Sequence, residues 1–398
     1  MECKTLVPEL RFPDYIDNWL SLPLNEVSNI YDGTHQTPNY TDEGIPFYSV
    51  EHVTANQFVN TKYISREVFL KENKRVKLER NDILMTRIGD IGTPKYIDWD
   101  VDASFYVSLA LIKQSSKIIS NFLCHYINSV DFQREIHKRV IHVAFPKKIN
   151  LGEIGKCIIC KPSKGEQQKI ASFLTSVDNR ISLLEKKKQA LEQYKKGVMQ
   201  KLFSQEIRFK DEHGNNYPAW EEKKLGEVAI TNPKSNSLPK SFIYIDLESV
   251  NKGRLTKKKI ISKHNAPSRA QRLLKKNDIL YQTVRPYQKN NYFFNLDGEY
   301  VASTGYAQIR TDNISKYLYQ YLHTEIFVGK VMARCIGTSY PAINSNDLSS
   351  IIVQLPSLPE QQKIANILSS LDNKIGLTNT NIEKSKEFKK GLLQKMFV

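Results

Sequence analysis

The sequence is poor in the features that mark membrane, secreted or metal-dependent proteins. No apolar run approaches the roughly 18 residues a membrane helix needs, and no secretory signal opens the chain. Only five of 398 residues are cysteine, and the one metal-like spacing is Cys157-x-x-Cys160. It sits in the apolar run KCIICK with no second cysteine pair and no adjacent histidine, so core thiols in a reducing cytoplasm are the reading. Catalytic signatures are missing too. There is no Gly-x4-Gly-Lys-Ser/Thr phosphate loop and no Gly-x-Gly-x-x-Gly. The nearest approach to the Asn/Asp-Pro-Pro-aromatic loop of amino-methyltransferases, Asn232-Pro233-Lys234, lacks the second proline and the aromatic. The expectation is a cytoplasmic protein with no metal, no cofactor and no catalytic residues of its own.

Acidic residues are also in deficit. The net charge is +16, which makes nucleic acid the default polyanionic partner. The excess is uneven: residues 1–164 hold 21 Lys and Arg against 20 Asp and Glu, whereas residues 205–358 hold 22 against 14. A nearly neutral first block can hold DNA only through local arrangement of its side chains.

What the chain does contain is itself, twice. Residues 165–204 align without a gap on 359–398 at an offset of 194, with 18 of 40 positions identical. In the first copy Ile170, Leu174, Val177, Ile181, Leu184, Leu191, Val198 and Leu202 alternate steps of four and three, a heptad seam in which Lys188 and Lys195 fill the remaining positions. The second copy repeats it with Ile364, Leu368, Leu371, Ile375, Ile382, Leu392 and Met396, while Thr378, Ser385 and Lys389 weaken its middle. Each copy predicts a helix roughly 55–60 Å long at about 1.5 Å per residue. The obvious partner for each seam is the other copy.

The repeat continues outside the helices. Trp19, Leu24, Glu26 and Val27 match Trp220, Leu225, Glu227 and Val228; Asn81-Asp82-Ile83-Leu84 recurs as Asn277-Asp278-Ile279-Leu280; and AFPKKIN at 144–150 echoes SYPAIN at 339–344. Leu10-Arg11-Phe12 reappears as Ile207-Arg208-Phe209 just after the first helix, so the two halves are arranged almost circularly. The blocks between read as mixed α and β: strand-like runs GIPFYSV, FYVSLALI, CIIC and SFIYIDL, and helix-like spacing over 120–138 and 314–334. No long Gly/Ser- or Pro-rich linker separates the parts, which predicts blocks held rigidly to the helices.

With these residues in view, the chain resembles the specificity subunits of type I restriction–modification systems. The duplicated EQQKIA…LD-N-I…KKG…QK-F helices, the W-x4-L-x-E-V block starts, the NDIL strands, DGTHQTPNY and GIPFYS carry the likeness, which covers essentially the whole chain. The resemblance implies an α+β fold of two mixed α/β target-recognition domains joined by two long antiparallel helices, a pseudo-two-fold coiled coil. The expected divisions are 1–164, first recognition domain; 165–204, central helix; 205–358, second recognition domain; and 359–398, C-terminal helix. It implies that each domain reads one half of a split, asymmetric site in double-stranded DNA. The helices would set the spacer and dock two modification subunits, which methylate adenine from S-adenosylmethionine; restriction/translocase subunits would join through that complex. A general nucleic-acid binder, a coiled-coil scaffold and a self-contained nuclease remain as alternatives.

Base edges in the major groove are read by Arg or Lys at guanine and Asn or Gln at adenine, whereas phosphate contacts only position the protein. In the second block the richest segment is YQTVRPYQKNN, with Gln282, Thr283, Arg285, Tyr287, Gln288, Lys289, Asn290 and Asn291 directly after a predicted strand. Its counterpart in the first block, MTRIGDIGTPK, offers Thr86, Arg87 and Lys95. YDGTHQTPNY adds Thr34, His35, Gln36, Thr37 and Tyr40, and GTSYPAINSN adds Thr338, Ser339, Tyr340 and Asn344. Lys257, Lys258 and Lys259 read as solvated charge or phosphate contacts.

Overall fold

A computed structural model describes residues 6–235 and 237–398. It resolves into two compact units, one formed by the chain up to Glu185 together with Thr380–Val398, the other by Lys186–Asn379. Each unit therefore draws on both halves of the sequence.

In the first unit Leu20–Pro23 pairs antiparallel with Ile158–Lys161, the strand that leads into the central helix. A four-stranded sheet follows the order Ile30–Asp32, Leu109–Ile112, Ile83–Ile88, Asp90–Tyr96. A second orders Tyr40–Thr41, Lys62–Ile64, Ile45–Tyr48 and Ser104–Phe105, the last pair parallel. The second unit repeats the plan. Glu221–Lys224 pairs with Ile352–Leu355, and one sheet orders Ile230–Thr231, Tyr306–Arg310, Ile279–Gln282, Tyr292–Phe293. The other orders Lys259–Ser262, Ser241–Ile245, Tyr300–Ser303 and Ala270–Leu273, again with one parallel pair.

The helix expected over 120–138 is two helices, Ser120–Ile127 and Val130–Arg139, and that over 314–334 is Ser315–Tyr321 and Glu325–Met332. The apolar period runs across both breaks, but a hydroxyl intervenes in each. Ser129 accepts from the Phe132 amide at 3.3 Å and Thr324 from that of Phe327 at 3.2 Å, so each starts a new helix as its N-cap.

The central helix spans Lys164–Phe203 and the C-terminal helix Leu358–Lys395. In the first unit the start of the central helix (Ile170, Ala171, Leu174) shares a core with the end of the other (Leu392, Met396, Phe397). In the second, Ile364, Ala365, Leu368 and Leu371 share a core with Leu202 and Phe203. The helices run antiparallel within each unit: Lys389 meets Asp178 at 2.6 Å and Lys386 meets Glu185 at 2.7 Å in the first, while Lys195 meets Asp372 at 2.6 Å and Lys188 donates to Asn379 at 2.7 Å in the second. The lysines at seam positions are thus not gaps in an apolar stripe. Lys195–Asp372 and Asp178–Lys389 are one ion pair repeated by the duplication, and a polar pair on a seam is the device that fixes register.

The repeated motifs outside the helices have matching roles. Arg11 grips Glu166 through two hydrogen bonds of 2.8 Å at the start of the central helix, and Arg208 grips Glu360 at 3.1 and 2.7 Å at the start of the other. Both glutamates are buried and lie in the first helical turn, where a carboxylate also complements the helix dipole. The neighbouring Gln167 and Gln361 accept from the amides of Ile119 and Ile314 at 2.9 and 3.4 Å. Trp19 packs edge-to-face on Phe397 and Trp220 on Phe203, with ring centroids 6.3 and 6.4 Å apart. Leu10 donates its amide to Lys395 O at 2.8 Å, as Ile207 does to Lys201 O at 3.2 Å.

The NDIL repeat is also structural. Asn81 and Asn277 take left-handed φ of 73° and 72°, tolerable for asparagine, and turn the chain so that the next aspartate points inward. Asp82 accepts from Lys113 Nζ at 2.7 Å and from the amides of Glu79 and Gln114. Asp278 accepts from Arg310 through Nε and Nη2, both at 2.8 Å, and from Gln308 at 2.7 Å. Both carboxylates are fully buried.

Candidate nucleic-acid interface

In the first block, backbone bonds gather three loops that are distant in sequence. Thr34 and Val107 bond across to each other's neighbourhood (Thr34 N to Phe105 O at 2.9 Å, Val107 N to Thr34 O at 3.0 Å), Arg87 N donates to Ser108 O, and Gly89 N donates to Lys147 O at 2.8 Å. DGTHQTPNY, MTRIGDIGTPK and the loop before Asn150 are therefore one neighbourhood. Gly33 is required at its centre, since a Cβ there would collide with the Phe105 carbonyl.

The candidates of this block divide by exposure. His35, Gln36, Thr37 and Tyr40 are exposed, His35 holding Asp32 through Nε2 at 2.8 Å and Thr37 lying 3.3 Å from the Tyr106 hydroxyl. Lys62 lies 4.8 Å over the Tyr40 ring. Thr34 is buried and donates to Glu72 at 2.8 Å. Burial alone would raise the Asp32 carboxyl, but bonds from Arg75 and His35 outweigh it, leaving the pKa below the usual value. Thr86 is fully buried, donating to Asp90 and accepting from the Thr93 amide. Arg87 is buried, donates to the carbonyls of Val107 at 2.6 Å and Ile149 at 3.3 Å, and has its pKa lowered by burial. Both side chains are engaged in the fold. Lys95 donates to Asn56 at 2.8 Å while lying over Phe58 and Trp99.

The sequence reading assigned no site residue to the loop following Val130–Arg139, yet the structure places it at this edge. Val143 and Phe145 are 95% and 102% exposed, followed by exposed Lys147 and Lys148. The AFPKKIN echo of SYPAIN was the available signal, since it sets Phe145 in correspondence with Tyr340.

In the second block the two segments chosen from sequence come together. Arg285 N donates to Pro341 O at 2.7 Å and Ile343 N to Thr283 O at 3.0 Å. Tyr287, Gln288, Thr338, Ser339, Tyr340 and Asn344 are exposed. Gln282 is buried and donates to Val284 O at 2.6 Å and Gln288 Oε1 at 2.9 Å, and Thr283 donates to Gly305 O. Asn291 is buried, accepting the Gln282 amide at 2.8 Å; Asn290 donates to Val250 O; Lys289 pairs with Glu325 at 2.7 Å; and Asn344 caps the helix Ser345–Ser349. Lys257, Lys258 and Lys259 are exposed, Lys257 lying 3.5 Å from Glu248.

Behind this edge His323 donates from Nδ1 to Tyr319 O, 2.7 Å away, with Nε2 3.4 Å from Asn291 Nδ2. Burial dominates and lowers its pKa to about 4, aided by Lys195 and Lys289 and opposed by the Tyr319 bond and Asp372. A histidine whose folded pKa lies below its unfolded value of about 6.5 contributes stability that is complete above pH 6.5 and lost as pH falls toward 4. The expected loss at acid is up to about 3 kcal/mol. Denaturant titrations between pH 7 and 4 should show a shallower loss in H323Q than in the parent; parallel curves would contradict it.

Among the described residues no cluster of three His, Cys, Asp or Glu side chains is placed to hold a metal, and no helix is long and apolar enough to cross a membrane. Cys157 and Cys160 are buried, and burial pushes the Cys157 thiol up to about 12.

Two duplicated sheet-and-helix blocks, each exposing a polar and aromatic loop edge, define a repeated recognition module. The chain belongs to the type I restriction modification DNA specificity domain family, which it matches twice, over residues 16–193 and 218–386. It is 25% identical over 364 residues to the MjaVIII type I restriction enzyme specificity subunit of Methanocaldococcus jannaschii, covering 84% of each chain. A putative MjaX specificity subunit of the same organism is 24% identical over 404 residues, covering 95% of this chain and 92% of that one. The crystal structure of the type I restriction–modification S subunit from M. genitalium shares the fold at a TM-score of 0.66 and 16% identity, over 99% of both chains. The two blocks are thus target-recognition domains for DNA sequence.

Proposed function

We propose that this chain is the non-catalytic DNA-recognition subunit of a type I restriction–modification complex in the cytoplasm. Each recognition domain reads one half of a bipartite, asymmetric DNA site. The paired helices hold the half-sites at a fixed spacer and dock two adenine-methyltransferase subunits, through which restriction/translocase subunits join. The observation that carries this reading is a repeated structure bearing unlike loops. The helix clamps, the buried Asp–Lys and Asp–Arg pairs and the seam ion pairs recur in both units. The loop edges do not: one offers exposed His35, Gln36, Phe145 and Lys147, the other half-buried Arg285 with exposed Tyr287, Gln288 and Tyr340. A scaffold needs no such divergence, and a general binder needs no fixed pair.

Support for two docked partners lies on the helices. Leu183 and Phe388 are 66% and 56% exposed in the first unit, Leu377 and Tyr194 67% and 59% in the second. Leu377 lies 194 residues after Leu183 and Phe388 lies 194 after Tyr194, the offset of the repeat, so the same apolar pair is displayed twice. Large apolar side chains exposed at matching places mark binding surface. Modified-base mapping of host DNA with and without the chain tests the whole reading. The expected result is loss of one split methyladenine motif on deletion. An unchanged map with the modification subunits expressed would refute it.

A further inference from the structure

Arg285 occupies a position that the fold constrains without using its charge. Its backbone is left-handed, φ 53° and ψ 55°, in a non-glycine residue that also precedes a proline, two restrictions that together disfavour the conformation. The neighbouring chain holds it there: Arg285 N donates to Pro341 O at 2.7 Å, and Arg285 O accepts from Gln288 N at 3.0 Å as the chain turns through Pro286–Gln288. Non-glycine residues in such sparsely populated conformations concentrate at ligand-binding sites.

The side chain is held as closely as the backbone. The guanidinium carbon lies 4.1 Å from the centroid of the Tyr340 ring, whose residue is 66% exposed. Arg285 Nε is buried with no hydrogen-bond partner, and among the described residues no carboxylate pairs with the guanidinium. The other three cations named as base readers at the two edges differ, and exposed Lys147 and Lys148 have no planar fork. Arg87 donates to two carbonyls, Lys95 to Asn56, and Lys289 to Glu325. Arg87 directly follows buried Thr86 and Arg285 comes two residues after buried Thr283, yet of these two arginines only Arg285 keeps its fork uncommitted.

We infer that Arg285 is the guanine-reading residue of the second recognition domain, with Tyr340 as the platform that orients it. The ring lies against the guanidinium and Nε is buried, which leaves the two Nη groups as the donors available to a base. Two parallel N–H donors in one plane match the O6 and N7 acceptors that guanine presents in the major groove. A phosphate contact, by contrast, needs only a cation near the backbone, and a flexible lysine would serve it. This inference rests on the proposed DNA-recognition function and specifies one base within it.

The test uses the full complex of this chain with its modification subunits, incubated with a DNA library and read by modified-base sequencing. Replacing residues 205–358 with another recognition block first identifies which half-site belongs to the second domain. Wild type should require a guanine in that half-site. R285Q and R285A should lose the preference at that position while keeping the other half-site; Y340A should weaken it, and Y340F, which keeps the ring, should not. If R285Q is inactive, binding titration with 7-deazaguanine at that position decides. Wild type should lose at least about fivefold in affinity from loss of the N7 acceptor, and R285A should be insensitive. A wild-type half-site without a fixed guanine, an R285A complex that still selects guanine, or equal sensitivity to 7-deazaguanine overturns the inference. Retained guanine selection in R285A together with a normal split motif would leave the wider function standing; absence of any split motif in wild type would remove both.

Discussion

Aspartate at both Leu183 and Phe388 should reduce the proposed complement of modification subunits from two to one. Both side chains are exposed, so their replacement leaves the cores of the chain intact; they sit on the half of the paired helices that belongs to the first unit. A partner that covers them would have to desolvate two carboxylates, a cost of several kcal/mol per ion without compensating partners. The equivalent pair, Leu377 and Tyr194, is untouched, and the proposed second docking site should therefore still be filled. Native mass measurement or light scattering of the reconstituted complex should find one modification subunit per chain instead of two, and methylation confined to one strand of the site. Replacing all four should leave the chain alone. A double variant that still carries two subunits at micromolar concentration would show that these residues are not the docking surface.

D278A should destabilise the second unit by about 3 kcal/mol, the lower end for breaking a buried charge pair from one side. The fully buried carboxylate accepts from Arg310, Gln308 and the Lys275 amide, and its removal strands all three donors at once. D278N should fare little better, since the amide cannot balance the partly buried Arg310, whose side chain is 28% exposed. Hydrogen exchange provides the readout. Amides of 220–355 should exchange faster while those of 20–160 stay protected. A loss below about 1 kcal/mol would mean that Arg310 finds water readily and that the pair is a surface pair in effect.

The sequence made the framework readable and hid the working edge, for a physical reason. A heptad seam and a gapless repeat are local signals, visible as spacing, so the long helices and the duplicated blocks follow from residues alone. Exposure is not local. Thr86 and Arg87 have the chemistry of base readers, yet they lie on a strand whose residues face inward. Phe145 has the chemistry of a core residue and stands clear of every core. Charge pairing across the helices was equally invisible: Lys195 and Lys389 looked like interruptions of the seam because their partners, Asp372 and Asp178, lie 177 and 211 residues away. The breaks at Ser129 and Thr324 were written in the sequence as N-cap residues, but the apolar period continuing through them spoke more loudly.

The paired clamps, Arg11 on Glu166 and Arg208 on Glu360, have an implication for how such a chain can change. Each block plugs into the same socket: a glutamate at the start of one helix and an aromatic, Phe397 or Phe203, at the end of the other. Matching sockets make each block, in principle, a portable cartridge. Exchanging the two would leave the sockets occupied by the same contacts while reversing the order in which the half-sites are written along the DNA. New addresses would then arise by transposition, with no new reading surface evolved.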